Sequence, residues 1–159
     1  MNYALPTLLM LSLSMNAGAQ KVSEADVPQP VKAAFLKQFP KATDAKWEME
    51  DKKNYEADFK QDGNKWSAAY SADGTWLETE HAIKPEALPE AVRKSIAAKY
   101  ADHKLKETEQ VDTPKGTFFE ADLAKEGHSM DVLFTKDGSV VKTEADEDDK
   151  EDGEEDDKD

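Results

Sequence analysis

Carboxylates dominate the side chains that could do chemistry, with Asp and Glu numbering 35 against 21 Lys and Arg. Two runs in the last fourteen residues, Asp146-Glu147-Asp148-Asp149 and Glu154-Glu155-Asp156-Asp157, could attract calcium. A tight calcium site needs about six to eight oxygens in fixed geometry, as in a looped Asp-x-Asp-x-Asp-Gly pattern closed by a Glu, and no such pattern occurs. The reading for these runs is therefore a solvated tail that condenses cations weakly. His81, His103 and His128 lie far apart and form no i, i+4 pair, so the spacing offers no zinc site. Glu56 and Asp58, or Ser67 with His81, supply reactive types without a constellation. The chain has no cysteine nucleophile, no Gly-x-Ser-x-Gly, no phosphate loop and no His-Glu-x-x-His. Neither an enzyme nor a cofactor is expected from these residues, and no metal site.

What must position such residues is a pattern stated nearly twice. Val27-Pro28 recurs as Leu88-Pro89, and Val31, Phe35 and Phe39 recur as Val92, Ile96 and Tyr100. Tyr55-Glu56-Ala57-Asp58-Phe59 recurs as Phe119-Glu120-Ala121-Asp122-Leu123, and Asp73-Gly74 as Asp137-Gly138. Each copy opens with apolar residues at spacing four after a proline, which predicts a helix, and Pro40 ends the first. The period then falls to two: Trp47 and Met49, Tyr55, Ala57 and Phe59, then Trp66, Ala68 and Tyr70 alternate with mostly polar neighbours. That is the mark of antiparallel strands with one apolar face.

Two-residue hairpin loops at Asp62-Gly63 and Glu126-Gly127 place Phe59 opposite Trp66 and Leu123 opposite Met130. The same loop length at Asp73-Gly74 and Asp137-Gly138 places Tyr70 opposite Leu77 and Phe134 opposite Val141. The expected fold class is thus α+β: two tandem repeats, each one helix followed by a four-stranded antiparallel meander, with the helices on one face of the sheet. The first α-β4 repeat spans 20–84 and the second 85–145. This register puts Trp76, Glu78, Phe118, Leu133 and Val140 on the other face, among Glu56, Asp58, Glu80, Glu120, Asp122, Asp131 and Glu144. Trp76 is the expected anchor for a partner there, because tryptophan dominates protein-binding hot spots.

The ends carry different messages. Residues 1–19 read as a signal peptide: Ala4 to Met15 is apolar but falls short of the roughly 20 residues that span a bilayer. Ala17-Gly18-Ala19 follows in the small-x-small pattern of a cleavage site before Gln20. No second apolar stretch follows, so no membrane insertion is expected after cleavage, and the destination is the periplasm or the medium. Residues 146–159 read as a disordered acidic tail, holding eleven carboxylates against Lys150 and Lys158. A net charge of −14 disfavours nucleic acid as a partner.

These residues together resemble the PepSY-like family of beta-lactamase-inhibitor-like proteins. The likeness is carried by Val27-Pro28, Phe35, Phe39-Pro40, Trp47-Glu48, Tyr55-Glu56-Ala57 and Asp73-Gly74 with Trp76. The second copy adds Leu88-Pro89, Tyr100, Phe119-Glu120-Ala121 and Asp137-Gly138. The resemblance implies an exported, non-catalytic binding module whose open sheet face meets a protein or peptide of the cell envelope. The alternative is a cation-binding envelope protein holding Ca2+ weakly through surface and tail carboxylates. Better-known beta-lactamase inhibitory proteins carry disulfides that this chain cannot form, and none of their contact residues transfers singly to this sequence.

Overall fold

A computed structural model describes residues 20–50 and 53–145; the expected signal segment and acidic tail lie outside the described residues. The strands are β1 (Gln20–Val22), β2 (Thr43–Glu50), β3 (Asn54–Gln61), β4 (Asn64–Ser71), β5 (Trp76–Ala82), β6 (Lys104–Thr113), β7 (Gly116–Lys125), β8 (His128–Thr135) and β9 (Val140–Ala145). Helix α1 (Gln29–Gln38) lies between β1 and β2, and α2 (Glu90–Lys99) between β5 and β6.

The expected pair of helix-plus-meander repeats is corrected by this architecture. The described chain forms one nine-stranded antiparallel sheet in sequential order, β1 to β9, accompanied by only two ten-residue helices. Two features break the expected partition. β1 precedes its helix and adds a strand beside β2, pairing Gln20 with Met49 and Val22 with Trp47. β5 and β6 then pair across the joint, with Glu80 opposite Val111 and Ala82 opposite Glu109. The physical reason is that two separate meanders would leave two further rows of N–H and C=O groups without ladder partners. Joining β5 to β6 satisfies both rows at once.

Both helices pack on the same face. Val31, Phe35 and Phe39 bury against Trp47, Ala57, Phe59, Ala68 and Tyr70. Phe35 is the hub, with ring centroids 5.2 Å from Trp47 and 5.1 Å from Phe59, both edge-on, an arrangement aromatic pairs favour. Leu88 and Val92 bury against Phe119, Ala121, Leu123, Val132 and Phe134.

Two kinds of hairpin turn set the register. At Asp62-Gly63 and Glu126-Gly127 both central residues have positive φ (50° and 81°, 53° and 92°), and Phe59–Trp66 and Leu123–Met130 pair as expected. At the other two turns only the glycine has positive φ, and the loop holds three residues. Ser71 N–H donates to Thr75 O at 3.0 Å, and Thr135 N–H to Ser139 O at 2.9 Å. Asp73 Oδ1 accepts from the Ser71 hydroxyl at 2.5 Å and the Thr75 amide at 3.0 Å. Asp137 Oδ1 repeats this with the Thr135 hydroxyl and the Ser139 amide. The longer loop moves Trp76 opposite Tyr70 and Val140 opposite Phe134, and a bulge follows in each hairpin.

Candidate functional site

The three-residue loops decide which side chains share a face. Trp76, expected on the face away from the helices, lies on the helix face instead. It is half-buried against the first core cluster, and its indole N–H donates to Thr79 Oγ1 at 2.9 Å. Val140 likewise moves to the helix face, opposite Phe134, and is 36% exposed. Glu78, Phe118 and Leu133 lie together on the far face. The expected binding set is thus divided: three of its residues are on one side of the sheet and two on the other.

That far face is not a flat acidic surface. Among the described residues no second layer covers it, yet Glu80 and Leu133 are each 1% exposed, and Glu56, Ser67, Glu78, Glu109, Val111 and Glu120 are also buried. Burial without a cover means the sheet curls toward this side, so that neighbouring side chains close over one another. Strand twist and four bulged registers, in β2–β3, β4–β5, β6–β7 and β8–β9, supply the curl. A cavity of about 790 Å³ opens in the hollow, lined among others by Lys46, Asp58, Lys65, Ser67, Glu80 and Glu109.

The strands deliver the acids in rows. Asp58, Ser67 and Glu80 stand side by side on β3, β4 and β5, and continue through Val111 to Phe118. One step along, Ala82, Glu109, Glu120, Leu133 and Lys142 form the next row. Glu80 sits where these rows meet the joint between β5 and β6. Neither of its carboxyl oxygens has a hydrogen-bond partner.

Burial, reinforced by Glu78, Glu120, Glu109 and Glu56, pushes the Glu80 carboxyl well above the usual range. Burial also lifts Glu120 to about 8, with Asp131, Glu109, Glu144 and Glu78 adding to the rise. Glu109 rises to about 7, again by burial first and then by Glu107, Asp131 and Glu56. Asp58 is raised by burial and Glu48, but Lys46 and Lys65 pull it back. The lysines therefore temper Asp58 at the mouth of the hollow. Lys142, on the far side, is paired with Glu144.

Such a site can hold and release protons near neutrality and can receive positive charge. Among the described residues no group of three or more His, Asp or Glu side chains is placed to hold a metal ion. Sequence reasoning placed Glu56, Glu78, Glu80 and Glu120 on this face and missed Glu109 and Val111. Both are on β6, whose run Lys104–Thr113 is too polar to show apolar alternation. Its signal was the alternation of Glu107, Glu109 and Val111 with Thr108, itself buried against the second half of the sheet's joint through its hydroxyl's bond to Ile83 O at 2.7 Å.

The family model described as "Putative beta-lactamase-inhibitor-like, PepSY-like" matches residues 14–67 and again 53–142. The chain belongs to this PepSY-like, beta-lactamase-inhibitor-like family. Its fold is similar to that of solved Bacteroides proteins. A "BLIP-like protein" of Bacteroides fragilis is 26% identical with a TM-score of 0.64, covering 74% of this chain and 86% of its own. A "putative periplasmic" protein of Bacteroides eggerthii is 24% identical, TM-score 0.69, covering 75% and 88%. A DUF2874 family protein of Bacteroides uniformis is 23% identical, TM-score 0.67, covering 74% and 88%. No curated protein matches the chain. Among the described residues no helix is long and apolar enough to cross a membrane.

Proposed function

We propose that the protein is an exported, non-catalytic binding module that receives a protein or peptide partner in the hollow of its sheet. The observation that carries this reading is the hollow itself. Apolar residues (Ala45, Phe59, Trp66, Ala82) and a buried, unpartnered carboxyl (Glu80) line a cavity of about 790 Å³. Ligand sites combine an apolar lining with a few polar groups in this way. The inhibitor-like description of the family and the BLIP-like relative support a binding role, and the "putative periplasmic" relative supports export.

A photoreactive amino acid tests the location in the native host. Placed at Lys65, which is exposed and lines the hollow, it should yield a discrete cross-linked adduct. Placed at Lys94, exposed on α2, it should yield none. Equal adducts from both positions, or none from Lys65, would refute the reading. Intact mass of protein recovered outside the cytoplasm should show a chain beginning at Gln20, and a full-length product there would refute cleavage.

A further inference from the structure

We infer that the floor of the hollow around Glu80 is a receptor for one basic side chain, a lysine ammonium or arginine guanidinium, presented by a polypeptide partner. The inference rests on the binding-module reading and names the chemistry of what is bound.

Glu80 is 1% exposed and both its oxygens lack a hydrogen-bond partner, a state that is costly for a carboxyl in either protonation form. Its direct ladder neighbours are Ser67 and Val111, and around them stand acids from four strands. β3 contributes Glu56, β5 itself Glu78, β6 Glu109 and β7 Glu120, and each raises the cost of a charge on Glu80. Farther out, Glu107 on β6 and Asp131 on β8 act on Glu109, and Glu144 on β9 acts on Glu120. Lys46 and Lys65 line the cavity and act on Asp58 at its mouth, and Lys142 pairs with Glu144. Lys60 pairs with Asp44 at 3.1 Å. Glu80 thus leaves an acceptor open among acids, and it lines the cavity of about 790 Å³ that gives access to it.

The spacing favours an organic cation over a metal. Glu56, Glu80, Glu109 and Glu120 project from separate strands about 4.8 Å apart from neighbour to neighbour, and no three of the described acids converge on a coordination sphere. A guanidinium, with five N–H donors splayed in a plane, or an ammonium with three, can reach acceptors on neighbouring strands. Without an occupant the floor relieves its repulsion by holding protons. An entering cation favours the ionised carboxylates, so those protons leave on binding.

The test is an NMR titration of the full mature chain with an N-acetylated, C-amidated Gly-Arg-Gly peptide and its citrulline counterpart at pH 8.5. Expected are amide shifts on β5, β6 and β7 around Glu80, Glu109 and Glu120 with the arginine peptide and none with citrulline. Affinity should fall at least tenfold in Glu80→Gln and should also fall as pH drops from 8.5 to 6. Glu80→Gln removes a repelled carboxylate and should fold; Glu109→Gln provides a second variant with the same expected direction. Unchanged affinity in both variants, shifts confined to residues 146–159, or the same shifts produced by Ca2+ at lower concentration would overturn the receptor. Cross-links from Lys65 with unchanged affinity in both variants overturn the basic-side-chain inference alone and leave the binding module standing.

Discussion

The phenol of Tyr70 crosses from the C-terminal end of β4 to the last turn of α1 and donates to Gln38 Oε1 at 3.0 Å. Tyr70 is fully buried, and burial pushes its hydroxyl above the usual phenol range, which favours the protonated donor form. Tyr70→Phe keeps the ring and removes only this tie. It should cost about 1 kcal/mol in a denaturant melt, the worth of one neutral hydrogen bond. An unchanged midpoint would show that the bond carries no net stability.

Trp76 is a packing residue of the helix face. Trp76→Ala should destabilise the protein by about 3 kcal/mol, toward the lower end for a large aromatic because the side chain is only half-buried. Thr79→Val should cost about 1–3 kcal/mol by orphaning the indole N–H. Neither change should alter what binds in the hollow. A loss of partner binding without loss of stability in Trp76→Ala would contradict its placement.

Gly74 and Gly138 are held by the helices as well as by their turns. A Cβ at Gly74 would lie 2.6 Å from Pro30 O, and one at Gly138 would lie 2.5 Å from Ala91 O. Gly63 has a similar φ of 81° but open space around it. Gly63→Ala should cost about 1–2 kcal/mol from the left-handed conformation alone. Gly138→Ala should cost clearly more, because a helix terminus must also move. Equal losses in thermal melts would mean that the hairpin tip can swing away freely.

Stability should fall as pH rises through neutrality. Glu109 and Glu120 have folded-state values near 7 and 8 against 4.5 for the free side chain. Between those values the folded chain holds protons that the unfolded chain releases. Their contribution is therefore complete below about pH 4.5 and lost as pH rises through 7 and 8, on the order of a few kcal/mol in total. Asp102 runs the other way, held down to about 2 chiefly by Lys125 and His103, and its contribution disappears only in stronger acid. Urea midpoints should be higher at pH 5.5 than at pH 9, and Glu80→Gln should narrow that difference. A midpoint that climbs from pH 5.5 to pH 9 would contradict the buried acids.

Helix stripes and strand alternation were legible because each reports a single face of one element. Val31, Phe35, Trp47, Phe59 and Tyr70 all bury as their spacing demands. The turns were legible only where sequence leaves one solution. Asp62-Gly63 is flanked by Gln61 and Asn64, whereas Asp73-Gly74 has Ser71 two places before the Asp and Thr75 just after the Gly. Those hydroxyl and amide partners for the Asp carboxylate favour a three-residue loop, and one extra residue moved Trp76 and Val140 across the sheet. The merging of the two halves was not legible, because the β5–β6 pairing is made by backbone groups that every sequence carries. The hollow was harder still. Its acids were visible as types, but their burial comes from accumulated twist and bulges, which no local pattern encodes.

Consecutive order across the whole sheet has a mechanical consequence. With β1 at one edge and β9 at the other, a force drawing the two ends apart acts across the strands and not along them. Ladder hydrogen bonds would then open one after another, like the teeth of a zip, instead of sharing the load in shear. Each released strand lengthens the chain before its neighbour is loaded. A protein wired this way should yield at low force in many small steps, and give up its edges, β1 and β9, long before the joint that holds Glu80.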